Sequence, residues 1–341
     1  MIDLLVVGGG PAGLATALHA ALAGLETVVA EPRPGPVDKA CGEGLMPAAV
    51  RELAALGVVP AGRPFTGIRY LDAAGGRTAR AAFRQGHGLG VRRTVLHAAL
   101  AARAAELGVT VLPRRITGVG VGADRVTAAG LSARHLAVAD GLHSPTRRAL
   151  GLDLPVPPGR PARYGLRRHY PVAPWSDAVE VHWSARAEAY VTPVGPELVG
   201  VALLTSDRAP FDEQLAHFPL LAARLPAGGG TPVRGAGPLR QRSRARVAGR
   251  ALLVGDAAGY LDALTGEGLS VALACAGELV RCVREGRPEA YEQAWRRASR
   301  GYRLLTGSLL WARQRPLLAP LIVPAAARLP RVFAAGVNLL A

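Results

Sequence analysis

The sequence predicts an α/β fold in which a Rossmann-like domain is interrupted by an inserted antiparallel β-sheet domain and followed by a helical C-terminus. Three observations predict it. The apolar run at residues 4–7 leads into a glycine-rich turn and an Ala- and Leu-rich helix, as a buried parallel strand and its crossover helix do. A second apolar run, at residues 251–254, leads into another glycine-rich turn. Between them, residues 164–204 contain short strands separated by proline-rich turns.

The first glycine-rich turn has the spacing of a dinucleotide-binding motif. Gly8 permits a tight turn, Gly10 lets the backbone approach a pyrophosphate, and Gly13 lets the helix pack closely on the strand. The free N–H groups at the start of that helix attract an anion. The second strand ends in Glu31, close to the position about 20 residues further on where a ribose-binding carboxylate is expected.

The second glycine-rich turn fits the same cofactor. Asp256 follows the strand at residues 251–254 and can accept a hydrogen bond from a ribityl hydroxyl. The next helix opens at Gly266-Glu267-Gly268 and directs its N-terminal amides at the pyrimidine edge of a flavin. A simple NAD dehydrogenase has no reason to return a strand to its first domain after so long an excursion. The two turns together therefore predict FAD.

The chain is strongly basic, and almost all of its positive charge is arginine. The formal net charge is +16, and Lys39 is the only lysine. Arg240, Arg242, Arg244 and Arg246 alternate ahead of a predicted strand, so an extended backbone would place them on one side. An anionic partner there, such as the phosphates of NAD(P)H, an acyl-CoA, an acidic acyl carrier protein or an anionic membrane surface, competes with the alternative of a solvated arginine face. Nucleic acid is not expected, because aromatic residues make up only 5% of the chain and do not alternate with the arginines.

Composition also bears on location and metal chemistry. The predicted first strand begins almost at once, which leaves no charged leader, and the apolar C-terminal stretches are too interrupted to span a membrane. We therefore expect a cytoplasmic protein, with peripheral membrane contact as the alternative. Cys41, Cys275 and Cys282 have neither metal-ligand nor disulfide spacing, so no metal is expected.

The motifs divide the chain into a discontinuous FAD-binding domain, a substrate-binding domain and a helical C-terminal segment. The C-terminal segment is apolar, broken by prolines and edged with arginines, as helices that cap an apolar pocket or lie on a membrane surface are. The predicted limits are 1–64, 86–160 and 245–290 for the FAD-binding domain, 65–85 and 161–244 for the substrate-binding domain, and 291–341 for the C-terminal segment.

With these motifs the chain resembles the FAD-dependent oxidoreductases of the para-hydroxybenzoate hydroxylase fold, most closely their geranylgeranyl-reductase-like and flavin monooxygenase branch. The resemblance covers residues 1 to about 285. It rests on Gly8 to Gly13 with Glu31, on Arg93, on Asp140-Gly141 with Ser144 and Arg147, on Gly255-Asp256, and on the segment Lys39-Ala40-Cys41-Gly42-Glu43-Gly44-Leu45.

The resemblance implies a noncovalently bound FAD and NAD(P)H as a transient electron donor. It implies that Glu31 binds the adenosine ribose, that Arg93 lies near the pyrophosphate or ribityl chain, and that Asp256 lies on the ribityl or pyrophosphate side. The predicted cofactor-binding residues are Gly8, Gly10, Pro11, Ala12, Gly13, Glu31, Arg33, Gly44, Leu45, Arg93, Asp256, Gly266, Gly268 and Leu269.

Three residues are candidates for catalysis. The resemblance implies that Cys41 faces the flavin and the substrate, where its thiol would donate a proton or shape the pocket; the alternative is an ordinary buried cysteine. Lys39 would hold an anionic group or guide NAD(P)H, unless it is a lysine without a special role. Tyr190 would bind a phenol if the strand register turns it into the pocket, and register also decides the roles of His169 and His182.

Two reaction classes fit this family, and the sequence slightly favours monooxygenation. Prenyl reductases of this branch carry Tyr-x-Trp-x-Phe-Pro in the substrate sheet, whereas this chain has Tyr190-Val191-Thr192-Pro193-Val194. We therefore predict an FAD- and NAD(P)H-dependent hydroxylase of a hydrophobic aromatic, polyketide or phenolic-lipid substrate. The alternatives are a geranylgeranyl-reductase-like flavoprotein that saturates carbon–carbon double bonds, and a flavin electron-transfer or regulatory protein.

Overall fold

The fold was obtained as a computed structural model. The predicted domain boundary at residue 160 and the last two residues of the predicted C-terminal segment lie outside the described residues. The limits of the three predicted parts stay a prediction. The structure describes residues 1–73, 75–157, 159 and 161–339.

The described residues form twenty strands and eleven α-helices. The strands are β1 Ile2–Val7, β2 Thr27–Ala30, β3 Gly44–Leu45, β4 Arg63–Phe65, β5 Gly67–Asp72, β6 Thr78–Ala82, β7 Gly88–Gly90, β8 Thr110–Leu112, β9 Val119–Val121, β10 Val126–Ala128, β11 Leu131–Val138, β12 Asp153–Leu154, β13 Tyr164–Tyr170, β14 Val179–Trp183, β15 Ala187–Gly195, β16 Leu198–Thr205, β17 Arg234–Ala236, β18 Arg242–Ser243, β19 Val247–Ala248 and β20 Ala251–Leu253. The helices are α1 Pro11–Leu22, α2 Pro47–Ala55, α3 Arg93–Glu106, α4 Pro145–Ala149, α5 Phe211–Leu215, α6 Pro219–Ala222, α7 Gly268–Arg284, α8 Tyr291–Ala298, α9 Arg300–Arg313, α10 Ile322–Arg328 and α11 Pro330–Leu339.

The first sheet brings three chain segments to one edge. Its order is β19-β20-β11-β1-β2-β8, and the pairs from β20 to β8 are parallel. The register aligns Val7 of β1 with Val138 of β11, and Val138 with Leu253 of β20. The carboxyl ends of these three strands therefore meet, and ligands bind at this edge of open parallel sheets. α1 packs on β1 and β2 and against α3 and α7.

The second sheet has the order β17-β13-β16-β15-β14-β5-β6. It is antiparallel except where β14 pairs with β5 in parallel. The predicted α/β fold class, with a Rossmann-like sheet, an antiparallel sheet and a helical C-terminus, is confirmed.

The alternating pattern within residues 164–204 predicts an antiparallel sheet with one buried face, but both faces of the second sheet are buried. On one face, Val191, Val201 and Leu203 pack with Phe211 and Phe218 of the segment that forms α5 and α6. The opposite face packs against the later part of the chain through a second set of buried side chains. Because helices cover both faces, β15 is buried along nearly all of its length. This second set comprises Val181, Trp183, Tyr190, Leu204, Leu239, Leu264, Leu310 and Val323.

The C-terminal segment is helical and lies against β5 and β6. Within the described residues, no single helix is long and apolar enough to cross a membrane. Ala319–Arg328 and Pro330–Leu339 reach the required length and composition only as a pair, which bends by 103° at its break.

Candidate active site

A cavity of about 1330 Å³ lies at the edge where β1, β11 and β20 end. Gly10, Asp140 and Asp256 follow these three strands and line it. The second sheet and the helices α9 to α11 supply the rest of the wall, which is mostly apolar. We call this space the apolar cavity.

The first glycine-rich turn is packed tightly against the sheet and open toward the cavity. Gly8 has a φ of +102°, and a Cβ there would lie 2.5 Å from the Ala139 carbonyl oxygen. A Cβ on Gly13 would lie 1.8 Å from the Gly8 carbonyl oxygen, whereas a Cβ on Gly10 would meet nothing nearer than Arg93, at 3.9 Å. No described side chain caps the start of α1. Its free amides therefore point at the space that a pyrophosphate would occupy.

The carboxylate of Glu31 is buried behind this turn. Its Oε2 accepts a hydrogen bond of 2.8 Å from the Gly9 amide, and its Oε1 accepts bonds from the backbone and side chain of Arg33, at 3.0 and 2.7 Å. Burial alone would raise the pKa of Glu31, but the hydrogen bonds from Arg33 and Gly9 lower it overall. Glu31 thus stays ionised at the end of β2, where the sequence predicts a ribose-binding acid.

Two cations line the cavity near the turn. The ammonium group of Lys39 makes no hydrogen bond or ion pair with any described residue, and it lies 3.1 Å from the position of a Cβ on Gly141. Burial, aided by Arg33 and Arg93, lowers the pKa of Lys39. The Nε of Arg93 is buried and lacks a partner among the described residues. A buried donor without a partner, such as the Nε of Arg93, is costly unless a ligand satisfies it, and the exposed Lys39 adds a second positive charge, so the residues present fit the pyrophosphate of FAD.

Two aspartates offer acceptors at the same end of the cavity. Asp140 accepts a hydrogen bond of 3.0 Å from the Thr146 amide at Oδ2, while its buried Oδ1 has no partner among the described residues. Asp256 lies in the 3-10 turn Gly255–Ala258. Burial raises the pKa of Asp256, and Lys39 and Arg93 oppose that rise. Both carboxyl groups can accept hydrogen bonds from sugar or ribityl hydroxyls.

The predicted cofactor-binding residues either line the cavity or support the turn behind it, with one exception. Gly8, Gly13, Glu31 and Arg33 build the turn and its support without lining the cavity. Leu45 is the exception, because its side chain is buried in the core of the first sheet and does not line the cavity. The cavity is lined by Gly10, Pro11, Ala12, Gly44, Arg93, Asp256, Gly266, Gly268 and Leu269.

Cys41 lies on the cavity wall in a turn that several bonds hold. The Glu43 amide donates to its Sγ at 3.4 Å, and burial raises the pKa of the thiol. Glu43 has a φ of 59°, which is costly for a residue with a side chain. Its carbonyl oxygen accepts a bond from the Val91 amide, and its Oε1 accepts one from the Arg93 amide, each at 2.8 Å. The turn therefore presents a protonated thiol in a fixed position.

A chain of hydrogen bonds between buried side chains of the second sheet supports this turn, and the sequence patterns did not predict it. Glu43 Oε2 lies 2.5 Å from His169 Nε2, and Arg167 Nη1 lies 3.0 Å from His169 Nδ1. A guanidinium only donates, so Nδ1 accepts and a neutral ring donates its Nε2 proton to Glu43. Arg167 also binds Asp38 and donates to the Lys39 carbonyl at 3.2 Å. The signal in the sequence was the spacing of Arg167 and His169, which puts both on one face of β13.

Tyr190 lines the apolar cavity, as the register allowed. Its hydroxyl donates to the Leu264 carbonyl oxygen at 2.6 Å, and burial raises its pKa well above the usual value. The hydroxyl proton of Tyr190 is therefore already donated within the protein, and its oxygen can only accept a hydrogen bond from a ligand. His182 bonds to the buried Glu180 at 3.1 Å and does not line the cavity.

Comparisons with known proteins agree with this geometry. The model of the "FAD binding domain" family matches residues 1–196, which is more than half of the chain. Menaquinone reductase of Mycolicibacterium smegmatis is 55% identical over 56 residues, but the match spans only 16% of this chain and 14% of that protein.

Two solved structures share the fold. A geranylgeranyl bacteriochlorophyll reductase-like protein from Thermoplasma acidophilum superposes with a TM-score of 0.77 at 22% identity, over 100% of this chain and 93% of that one. A flavin-dependent brominase superposes with a TM-score of 0.81 at 17% identity, over 99% and 93%. Identities this low establish a common fold only. With the family match, they identify the chain as a member of the FAD binding domain family and as an FAD-dependent oxidoreductase of the para-hydroxybenzoate hydroxylase fold.

Proposed function

We propose that this protein reduces a carbon–carbon double bond of a lipophilic, isoprenoid-type substrate, with NAD(P)H as the electron donor. The observation that carries the proposal is the thiol of Cys41, which lies protonated on the wall of the apolar cavity in a turn fixed by Glu43. Saturation of a double bond needs a hydride and a proton, whereas hydroxylation does not need an acid at this place. The partial match is to a protein named as a reductase of menaquinone, a lipophilic quinone, which is compatible with reduction of a lipophilic substrate.

Each residue of the turn has a part in the proton transfer. FAD, when bound, supplies the hydride to one carbon of the double bond. Cys41 donates its proton to the other carbon, and the resulting thiolate regains a proton from water. Arg93 and Arg167 lower the pKa of Cys41 against the effect of burial, so they stabilise that thiolate. The Glu43 amide, which already donates to Sγ, does the same.

The cavity itself supports the substrate class. Its volume of about 1330 Å³ exceeds the roughly 300–1000 Å³ of a usual ligand pocket, as a space shared by a flavin ring and a long lipid would. Phe65, Ile68, Val181, Leu309 and Phe333 line it. Desolvation of an isoprenoid chain by such a wall provides the binding free energy.

Hydroxylation by dioxygen is the second candidate, and one observation favours it. The substrate strand β15 lacks the Trp and Phe of the prenyl-reductase pattern and has Val191 to Val194 after Tyr190. The two reactions leave different atoms in the product, because a hydroxylase adds an oxygen atom from dioxygen and a reductase adds two hydrogens.

Mass spectrometry of the product separates these reactions. The FAD-loaded protein is incubated with NADPH and a menaquinone carrying an unsaturated side chain, either without oxygen or with isotopically labelled dioxygen. The proposal expects, after reoxidation of any quinol formed, a product with two added hydrogens in its side chain in both conditions, and the loss of this product in Cys41→Ala with flavin binding retained. A labelled hydroxyl product would overturn the reductase proposal in favour of a hydroxylase, and product from Cys41→Ala at the normal rate would remove the thiol from the mechanism.

We further propose that the substrate enters from a membrane surface on which the protein lies peripherally. Helices α10 and α11 line the apolar cavity, and their segment also exposes Leu317, Leu329 and Val332 at 86, 55 and 66%. Arg328 and Arg331 stand exposed beside them and complement anionic headgroups. Sedimentation with vesicles tests this: we expect binding to anionic but not neutral vesicles, and its loss in Leu317→Ser/Val332→Ser. Equal binding to both vesicles would contradict it.

A further inference from the structure

A second cavity, of about 830 Å³, adjoins the segment that carries Asp256. The two cavities share Gly255, Asp256, Tyr260, Gly268 and Ala272 in their linings. The second one is bounded further by β18 and by α7, α8 and α9. It therefore adjoins the flavin end of the apolar cavity without being part of it.

Arginines dominate the lining of this second cavity, which we call the arginine cavity. The described carboxylates that face these arginines are few: Asp256 lines the cavity, and Glu292 binds Arg246 and Arg296 from its edge, at 3.5 and 3.2 Å. Even with Arg240 left out of the count, five lining arginines face these two carboxylates, so the positive charge exceeds the negative charge. The lining arginines are Arg240, Arg242, Arg246, Arg296, Arg300 and Arg303.

Two of these guanidinium groups lie against one indole ring. Arg246 lies 3.8 Å and Arg303 lies 5.4 Å from the centre of the Trp295 ring, so two cations stack on a single side chain of the lining. The Nε of Arg246 is buried and lacks a hydrogen-bond partner among the described residues. Arg296, Arg300 and Arg303 are exposed to solvent, and Arg300 makes no ion pair or hydrogen bond within the described part of the chain. Cations held this close together without enough counter-charge favour a bound polyanion.

We propose that the arginine cavity binds the phosphate groups of the nicotinamide dinucleotide donor, with preference for the form that carries the additional 2′-phosphate. This rests on the proposed function, which requires such a donor. The planar guanidinium matches phosphate in a bidentate manner, and the volume is that of a small-molecule pocket. A flat lipid surface does not reach the recessed Arg246. A donor held here lies beside Asp256 and Gly268, next to the predicted flavin site.

Three of the four alternating arginines recognised in the sequence form part of this site. Arg240, Arg242 and Arg246 line the cavity, whereas Arg244 is exposed and outside it. The expected common side is therefore wrong for Arg244. The reason is that only Arg242–Ser243 is a strand, and the chain turns before β19.

Trp295 provides a binding signal that does not depend on turnover. The FAD-loaded protein is titrated with inorganic pyrophosphate, with 2′-phospho-ADP-ribose and with ADP-ribose while tryptophan emission is recorded, and Trp295→Phe identifies the part of the signal that comes from this ring. The test variant is Arg300→Ala/Arg303→Ala. The matched control is Arg284→Ala/Arg297→Ala, which removes two exposed arginines of α7 and α8 that do not line the cavity.

We expect all three ligands to change the emission of Trp295, with 2′-phospho-ADP-ribose the tightest. The test variant should bind each of them roughly tenfold more weakly, and its KM for NADPH should rise by a similar factor while kcat and FAD affinity stay unchanged. The control variant should behave as the wild type.

Several results would overturn the proposal. The first is ligand binding that the test variant leaves unchanged. The second is a change in tryptophan emission with anionic vesicles alone. The third is weakened pyrophosphate binding with an unchanged KM for NADPH, which would leave an anion site but not the donor site. Because ligand binding is recorded without turnover, failure of the proposed reductase activity would leave these titrations interpretable.

Discussion

The two cavities adjoin one chain segment, residues 255–268, yet their linings differ in kind. The apolar cavity collects aliphatic and aromatic side chains from the second sheet and the C-terminal helices. The arginine cavity collects cations from β18, α8 and α9. Gly268 lines both cavities and has little room for a side chain, because a Cβ there would lie 3.2 Å from the Tyr260 ring. The same glycine-rich segment can therefore line an apolar cavity and a cationic one, because the side chains that distinguish the two cavities come from other parts of the fold.

We expect the largest effect on both cavities from removing the buried ion pair that holds residues 255–268 in place, between Asp262 and Arg163. Asp262 accepts a 2.9 Å bond from Arg163, which also binds Glu188 at 2.7 Å, and all three side chains are buried. Asp262→Asn leaves Arg163 with too little counter-charge, and we expect a loss of about 3 kcal/mol in the free energy of unfolding, measured with urea. The control is Asp177→Asn, whose partner Arg80 is half exposed, and it should cost less than about 1 kcal/mol. Equal losses would mean that the ion pair does not anchor the segment.

A substitution of Asp256 tests whether FAD and pyrophosphate bind independently, because this residue lines both cavities. We expect Asp256→Asn to weaken FAD binding by about 10- to 100-fold, because a charged acceptor for a hydroxyl is lost. Flavin fluorescence measures this affinity. Asp207→Asn is the control, since Asp207 lines the same cavity after β16. Pyrophosphate binding in the arginine cavity should change much less, and an equal loss of both ligands would merge the two sites into one.

Glu267 allows a pH-dependent test of the segment that the two cavities share. It lies in this segment, directly before α7. Burial raises its pKa to about 9 from 4.5, and its Oε1 has no partner among the described residues. The folded state thus binds one more proton than the unfolded state between these values, so stability falls as pH rises from about 4.5 to about 9. We expect Glu267→Gln to gain about 2 kcal/mol of stability relative to the wild type between pH 5 and about pH 6.5, since each pH unit in this range adds about 1.4 kcal/mol.

Urea unfolding of wild type and variant at the two pH values checks this expectation. Glu197→Gln, at an exposed position, controls for the loss of a carboxylate. A Glu267→Gln difference that is the same at both pH values would show that this carboxyl group does not titrate as described.

Salt gives the smallest expected effect and the most direct contrast. Added salt shortens the screening length to about 10 Å at 0.1 M and weakens exposed charge pairs. The KM for NADPH should rise several-fold between low and physiological salt, whereas the KM for the lipophilic substrate should stay nearly constant. Steady-state kinetics on detergent-solubilised substrate measures both. The same dependence for both substrates would remove the electrostatic distinction between the cavities.

Much of the cofactor end of the site was predictable from local patterns. The glycines at 8, 10 and 13, Glu31 at the end of β2 and Asp256 after β20 all lie within short motifs, and the strands that carry them are apolar runs. Leu45 shows the limit of such motifs. It belongs to the segment that resembles the family, but in a two-residue strand its side chain points into the core while Gly44 lines the cavity.

The amino-acid sequence by itself determined the parallel sheet, the glycine turns and the presence of arginine in excess, because these depend on residue type and on short-range spacing. Only the tertiary structure decided that His169 supports Glu43, that helices cover both faces of the second sheet, and that Arg246 and Arg303 stack on one tryptophan. Those contacts join residues far apart in the chain. Their geometry follows from how the two sheets and the C-terminal helices pack, which no local pattern specifies.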